Sequence, residues 1–284
     1  MRKHEEHVAV IGGGVMGAGI AHVFLAAASP VVIVESDADA AAAARERVAA
    51  SARKAEERGK LPPRVTANVL LADLRTTDSV TDIGNRAKLV VEAVPEDLAL
   101  KQRMLAAAEG AVPDADLASN TSSLSVTDLA AALQRPERFC GMHFFNPVPA
   151  SALVEVVTHE GAADDTVTRA LDRVRRLGLT PVTVHDAPGF ASSRLGVAVG
   201  LEAIRMLADG VASAEDIDQA MRLGYRWPIG PLHLTDLVGL DVRLAIAEYL
   251  QERLGARFEP PQLLRDKVAA GELGKKSGQG FYTW

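Results

Sequence analysis

Along the chain, short unbroken apolar runs alternate with longer stretches in which apolar residues recur at helical spacing. Val8 to Ile11 is a β-branched run suited to a buried parallel strand. An Ala-rich helical pattern follows through about Ala28, Pro30 ends it, and Val31 to Val34 reads as a second buried strand. The alternation continues with a helix over Ala38 to Gly59, a strand over Leu89 to Val94, a helix over Asp97 to Gly110 and a short strand over Leu117 to Ser119. Ser125 with Asp128 offers a capped start for a further helix. Arg138 to Phe145 and Ala152 to Val157 read as strands joined by a Pro-rich loop, before a helix near Thr166 to Leu177 and a strand over Pro181 to Val184. After His185-Asp-Ala-Pro-Gly-Phe190 the period is helical until the tail. It includes a capping box at Ser213 and Asp216 and an apolar helical repeat over Gly239 to Leu254. These patterns predict an α/β domain with a mostly parallel sheet over residues 1–186, and an all-helical domain over 187–284.

The first strand–helix–strand unit carries a motif. Gly12, Gly14 and Gly17, with Val15 and Met16 between the last two, sit between the strand and the helix, and Glu35 closes the second strand. The spacing from Gly12 to Glu35 is about the 20 residues of a dinucleotide-binding βαβ unit. Glycines there let the backbone turn tightly and approach a pyrophosphate, and the helix start presents free N–H groups to it. A carboxylate at position 35 suits a ribose 2′-hydroxyl and repels a 2′-phosphate, and neither Ser36 nor Asp37 supplies a cation for that phosphate, so NAD is favoured over NADP. The glycines alone also permit a flavin, although no other segment suggests a flavin-sized site. An ordinary Gly-rich turn is the plain alternative.

His143 interrupts an apolar run, and Glu155 sits inside the next one. If the two runs pair as antiparallel strands, the short loop brings imidazole and carboxylate opposite each other. A histidine oriented by a carboxylate is suited to proton transfer near neutral pH. A core histidine near a surface glutamate is the alternative.

Composition narrows the class. The chain has 284 residues, 48% of them hydrophobic, enough for two domains with sizeable cores. A net charge of −6 and interspersed charges argue against a nucleic-acid partner. The one cysteine excludes an internal disulfide framework and suits a reducing, cytoplasmic setting. The apolar run in MRKHEEHVAVIG is too short for a signal peptide, and no run suggests a membrane span. The histidines and the cysteine show no metal-ligand spacing.

Taken together, GGGVMGAGIA, VVEAVPEDLALK, ASNTSSLSV, RFCGMHFFNPVPASALVEVV, PGFASSRL, PIGPLHLTDLVGLD and GELGKKSGQGFY resemble the L-3-hydroxyacyl-CoA dehydrogenases, especially the short bacterial 3-hydroxybutyryl-CoA type, over nearly the whole chain. The resemblance implies a Rossmann-type NAD-binding domain and a helical domain that pairs two subunits into a homodimer. It implies that His143 is the catalytic base, that Glu155 orients it, and that Ser122 bonds the reacting oxygen. Glu96, Lys101, Asn146 and Lys276 match cofactor-side positions. Each has a simpler alternative, Glu96 and Lys101 as solvated charges at a helix start, Asn146 as a turn residue before Pro147, and Ser122 as a helix cap that Ser123 or Ser125 would equally supply. Ser51 and Arg58, with Lys54, match the segment that meets the nucleotide of CoA.

Three departures bear on the substrate. Ser193 stands where the family usually has asparagine, Glu56 and Glu57 stand where lysines are common, and Trp227 replaces a smaller or more polar residue. Two carboxylates beside a polyanion weaken its binding. An acyl-carrier-protein thioester, such as a glyceryl one used for polyketide extender units, is therefore the alternative to an acyl-CoA. The related dehydrogenases that use a lysine at the start of the helical domain are excluded, because no lysine lies between Lys101 and Lys267. An inert NAD-bound structural protein is the alternative from outside enzymology.

Overall fold

β-Branched residues lose little by extending and pack well on a pleated surface, and the first apolar run does this as β1 (His7–Ile11). The computed structural model describes residues 6–284; residues 1–5, the charged start of the N-terminal segment read above, lie outside the described residues. The described residues form two units, one ending at Asp186 and the other spanning Ala187–Trp284.

In the first unit β1 leads into α1 (Val15–Ala26), then β2 (Val31–Val34) and α2 (Ala38–Glu57), whose N-cap Asp37 accepts a hydrogen bond from the Ala40 amide. Thr66 caps a short α3 (Ala67–Leu71), and β3 (Leu74–Thr77) follows. Next come β4 (Ala87–Glu92), α4 (Leu98–Ala111), β5 (Asp116–Ser119) and α5 (Val126–Ala130), the last capped by Ser125. β6 (Phe139–Phe144), β7 (Leu153–Thr158), α6 (Asp164–Arg176) and β8 (Thr180–His185) complete the unit.

The eight strands form one sheet in the order β3-β2-β1-β4-β5-β6-β7-β8. Every neighbouring pair is parallel except β6 and β7, which are antiparallel. Chain order reverses between β1 and β4, and this switch point opens a crevice at the carboxyl ends of the strands. The core packs the helices on the sheet through Val10, Ile20, Ile33, Leu89, Met142 and Val156, among others. β3 was not foreseen. Its sequence, Leu-Arg-Thr-Thr, lacks an apolar run because it is an edge strand with one buried residue.

The second unit is built from α7 (Ser192–Ala208), α8 (Ala214–Gln219), α9 (Pro231–Val238), α10 (Leu240–Leu254) and α11 (Gln262–Ala269). Ser213 caps α8, which runs on into a π-helical turn over Ala220–Gly224. Asp218 accepts the Leu232 and His233 amides at the start of α9, and Asp236 accepts the Phe281 and Tyr282 amides and the Trp284 indole, fastening the tail. No helix among the described residues is long and apolar enough to cross a membrane.

Candidate active site

The turn after β1 has the shape a pyrophosphate needs. Gly12 has φ +93°, and a Cβ there would lie 2.8 Å from the Ala93 carbonyl oxygen, so only glycine fits without strain. A Cβ on Gly17 would collide with the Gly12 carbonyl, so glycine also sets how closely α1 approaches the turn. Gly14 is the N-cap of α1, with no side chain capping it and no atom within 4 Å of where its Cβ would be. The first amides of a helix have no intrahelical acceptor, and no acidic residue occupies the first turn here. Val15, in that turn, is 70% exposed. Glu35, at the end of β2, reaches back so that its Oε1 accepts the Gly13 amide at 2.6 Å. An open, positively polarised helix start beside a carboxylate at the next strand fits a dinucleotide whose ribose hydroxyls are unmodified.

Beyond β4 an acidic hub organises the neighbouring loop. Glu96 Oε1 accepts Thr121 Oγ1 at 2.6 Å, the Ser122 and Ser123 amides at 2.9 and 3.0 Å, and Ser123 Oγ at 2.9 Å. Ser122 Oγ is 3.4 Å from the same oxygen. Burial alone would push the Glu96 carboxyl up, but the Lys101 charge and these hydrogen bonds outweigh it and hold it below the usual range. Ser122 is not the helix cap, since Ser125 takes that place.

Lys101 is not a solvated charge. It is 1% exposed, pairs with Glu92 at 2.8 Å and Glu96 at 3.3 Å, and donates to the Val94 carbonyl. Glu92 is itself fully buried and also accepts Ser119 Oγ and the Val94 amide. Sequence reading missed Glu92, whose only signal was a glutamate inside an apolar strand. Asn120 was missed as well; its Oδ1 accepts the Phe144 amide and ties the loop after β5 to β6.

On β6 and β7 the pairing register sets His143 directly opposite Glu155. Nδ1 of the imidazole lies 2.9 Å from Glu155 Oε2, with the side chains 8% and 1% exposed. Phe145 packs against the ring at 4.4 Å between centroids. Asn146, just beyond, is exposed. The chain thus brings a glycine turn, a serine loop held by Glu96 and an imidazole–carboxylate pair onto one sheet.

The other candidates lie elsewhere. Ser51 is on α2 and Arg58 is its C-cap, while Glu56 accepts the Ala67 amide at 3.1 Å and so has a structural task at the start of α3. Ser193, in the first turn of α7, and Lys276, paired with Asp241 at 2.5 Å, belong to the second unit.

The models of the 3-hydroxyacyl-CoA dehydrogenase NAD-binding domain and C-terminal domain match residues 7–187 and 189–284. The chain is 43% identical to the 3-hydroxybutyryl-CoA dehydrogenase of Mycobacterium tuberculosis, covering 98% of each. It is 40% identical to a probable 3-hydroxybutyryl-CoA dehydrogenase of Deinococcus radiodurans, covering 97% of this chain and 99% of that one. The crystal structure of (S)-3-hydroxybutyryl-CoA dehydrogenase from Ralstonia eutropha superposes with a TM-score of 0.91 at 38% identity, covering 98% of this chain and 99% of the other.

Proposed function

The chain belongs to the 3-hydroxyacyl-CoA dehydrogenase family, and we propose that it interconverts 3-hydroxyacyl and 3-oxoacyl thioesters with NAD, 3-hydroxybutyryl-CoA and acetoacetyl-CoA being the first pair to test. The observation that carries this reading is the 2.9 Å bond between His143 and Glu155 on paired strands of an NAD-binding sheet.

When bound, NAD⁺ supplies the acceptor for the hydride that leaves C3. The chain's own residues handle the proton and the geometry. Glu155 engages Nδ1 of His143, which leaves Nε2 as the nitrogen that accepts the C3 hydroxyl proton during oxidation and returns it during reduction. The carboxylate fixes the tautomer and stabilises the imidazolium that forms. Ser122, on the loop held by Glu96, donates to the C3 oxygen, with Ser193 as a second hydroxyl. Gly12, Gly14, Val15, Met16 and Gly17 cradle the pyrophosphate, and Glu35 accepts a ribose hydroxyl. By the family resemblance Asn146 and Lys276 would serve the nicotinamide side of NAD and Glu96 its ribose side, with Lys101 holding Glu96 in place.

Ser51 and Arg58 meet the nucleotide of CoA. The carrier-protein alternative rested on two carboxylates beside that segment. Glu56 accepts the α3 amide and keeps its charge, so what favours the acyl-CoA reading is the likeness to relatives named for 3-hydroxybutyryl-CoA. Apolar Leu195, Leu237, Val238 and Val242 are exposed on the helical unit and support a homodimer formed through it, which light scattering tests as a doubled mass.

NADH absorbance with acetoacetyl-CoA and with 3-hydroxybutyryl-CoA, each beside its carrier-protein counterpart, tests the function. Turnover on CoA esters at least equal to that on the carrier form supports it. No turnover of either thioester refutes it.

A further inference from the structure

The dinucleotide motif fixes glycine at positions 12, 14 and 17 and leaves position 13 free, yet a further glycine stands there. Its reason is α2. A Cβ built on Gly13 would lie 2.3 Å from the Ala44 Cβ and 2.9 Å from a methyl carbon of Ile33. Glycine facing alanine therefore lets the helix lie against the turn. Three residues along the same face of α2 comes Arg47. Helical side chains lean toward the N-terminus of their helix, and Arg47 Nη1 donates to the Gly13 carbonyl at 3.2 Å.

Gly13 is thereby held by opposite charges at its two ends. Its amide goes to Glu35 Oε1 at 2.6 Å and its carbonyl to Arg47. Standard bond lengths across one residue then place carboxylate and guanidinium within about 10 Å of each other. The two do not pair. The Gly13 carbonyl is the one partner of the Arg47 side chain among the described residues, and no carboxylate lies within ion-pair distance of it. Nearby charges are already engaged, Arg45 with the Leu74 carbonyl and Asp37 with the Ala40 amide. Arg47 is exposed, so its remaining donors are open to solvent beside Glu35.

A guanidinium with spare donors matches a phosphate in a fork. Resting on the cofactor reading above, in which Glu35 accepts a hydroxyl of the adenosine ribose, we propose that Arg47 receives a phosphate carried on the 2′ oxygen of that ribose. Position 35 repels the phosphate and position 47 attracts it. Glu35 therefore sets a preference for NAD, Arg47 limits the size of that preference, and NADP is a second, weaker cofactor. The residues next to Glu35 in the chain give no sign of this cation, because it arrives from the middle of the following helix.

Calorimetric titration with ADP-ribose and 2′-phospho-ADP-ribose tests this without turnover, since the two ligands differ only by the phosphate. The wild type is expected to bind both, ADP-ribose more tightly. Arg47→Ala is expected to weaken the phosphorylated ligand by about tenfold, the loss of one charge-assisted hydrogen bond at an exposed site, and ADP-ribose by no more than about twofold. Arg47→Lys, which keeps the charge without the fork, should fall between. Raising salt from about 0.05 to about 0.5 M should weaken the phosphorylated ligand more steeply in the wild type than in Arg47→Ala. Glu35→Ala is expected to gain affinity for the phosphorylated ligand, and adding Arg47→Ala to take that gain away. Equal losses on both ligands overturn the inference, because they assign Arg47 to the part that the two share. An affinity for 2′-phospho-ADP-ribose that Arg47→Ala leaves unchanged overturns it as well. Wild-type binding of ADP-ribose with none of the phosphorylated ligand removes the inference alone; binding of neither removes the cofactor reading, and this inference with it.

Discussion

Glu155→Gln is the substitution that separates an orienting carboxylate from a merely buried one. The side chain keeps its size and its place opposite His143, so the change is confined to charge and to which atom faces Nδ1. Two unit charges about 4 Å apart interact by about 4 kcal/mol at an effective dielectric near 20. With the proton roughly half transferred in the transition state, about 2 kcal/mol of that is lost, or roughly thirtyfold in kcat. If the amide nitrogen turns to Nδ1, it forces the wrong tautomer and the loss grows to about 10⁴. The expected window for kcat therefore runs from about 30-fold to about 10⁴-fold, with the KM for NAD unchanged because the glycine turn is untouched. Steady-state kinetics on acetoacetyl-CoA and 3-hydroxybutyryl-CoA, with His143→Ala as the reference for complete loss, provide the assay. A Glu155→Gln protein within about threefold of wild type, beside an inactive His143→Ala, would refute the orienting role.

Lys101→Met leaves Glu92 buried without its cation and is expected to cost about 3–5 kcal/mol, read by calorimetry as a fall in Tm of roughly 6–20 °C. Combining it with Glu92→Leu should recover part of that loss; no recovery would argue against an uncompensated carboxylate as the cause. Glu35→Ala removes a charge-assisted bond to the Gly13 amide and the repulsion of a 2′-phosphate, so the NADP-to-NAD ratio of kcat/KM should rise about 10–100-fold, and an unchanged ratio would remove Glu35 from cofactor choice. Burial pushes Asp116 up, but Arg169 and Arg173 outweigh it and hold its carboxyl below the usual range, and Glu96 is held low in the same direction. The unfolded chain therefore takes up protons first, and denaturant melts should show stability lost as pH falls through about 4, an effect that Asp116→Asn diminishes. His22 is also held low, by burial, so the unfolded imidazole again protonates first and stability declines as pH drops below about 6.5. His22→Gln should flatten the profile between about pH 7 and 5, and an unaltered slope would place its origin in another group.

Legibility in the sequence followed the physics that acts locally. The glycine turn, Glu35 and the apolar runs of β1, β2 and β4 are readable because steric need and burial each select few residue types. β3 is not readable, since an edge strand with one buried position carries no periodicity. Lys101 looked like a surface residue because a helix start rich in charge is normally solvated, and its burial depends on Glu92 arriving from a strand nine residues earlier. Arg243 was hidden in the opposite way. Its helical spacing marked the inner face of α10, yet nothing local says that a buried cation there packs beside Gly196 and Gly200 of α7.

Glu92, Glu96 and Glu155 all belong to the first unit, and what each of these three is bonded to decides what it does. Glu92 is matched by the Lys101 ammonium and also accepts Ser119 Oγ and the Val94 amide, so it joins β4, β5 and the start of α4. Glu96 is matched mainly by amides and hydroxyls, which donate without changing their own charge, so it shapes the serine loop. Glu155 alone of the three faces an imidazole, the side chain that gains and loses a proton between about pH 5 and 8. Residue type and burial are nearly the same for Glu92 and Glu155. The chemistry is therefore set by the β6–β7 register, and a shift of one residue in that pairing would turn the carboxylate to the other face of the sheet and leave the histidine without its partner.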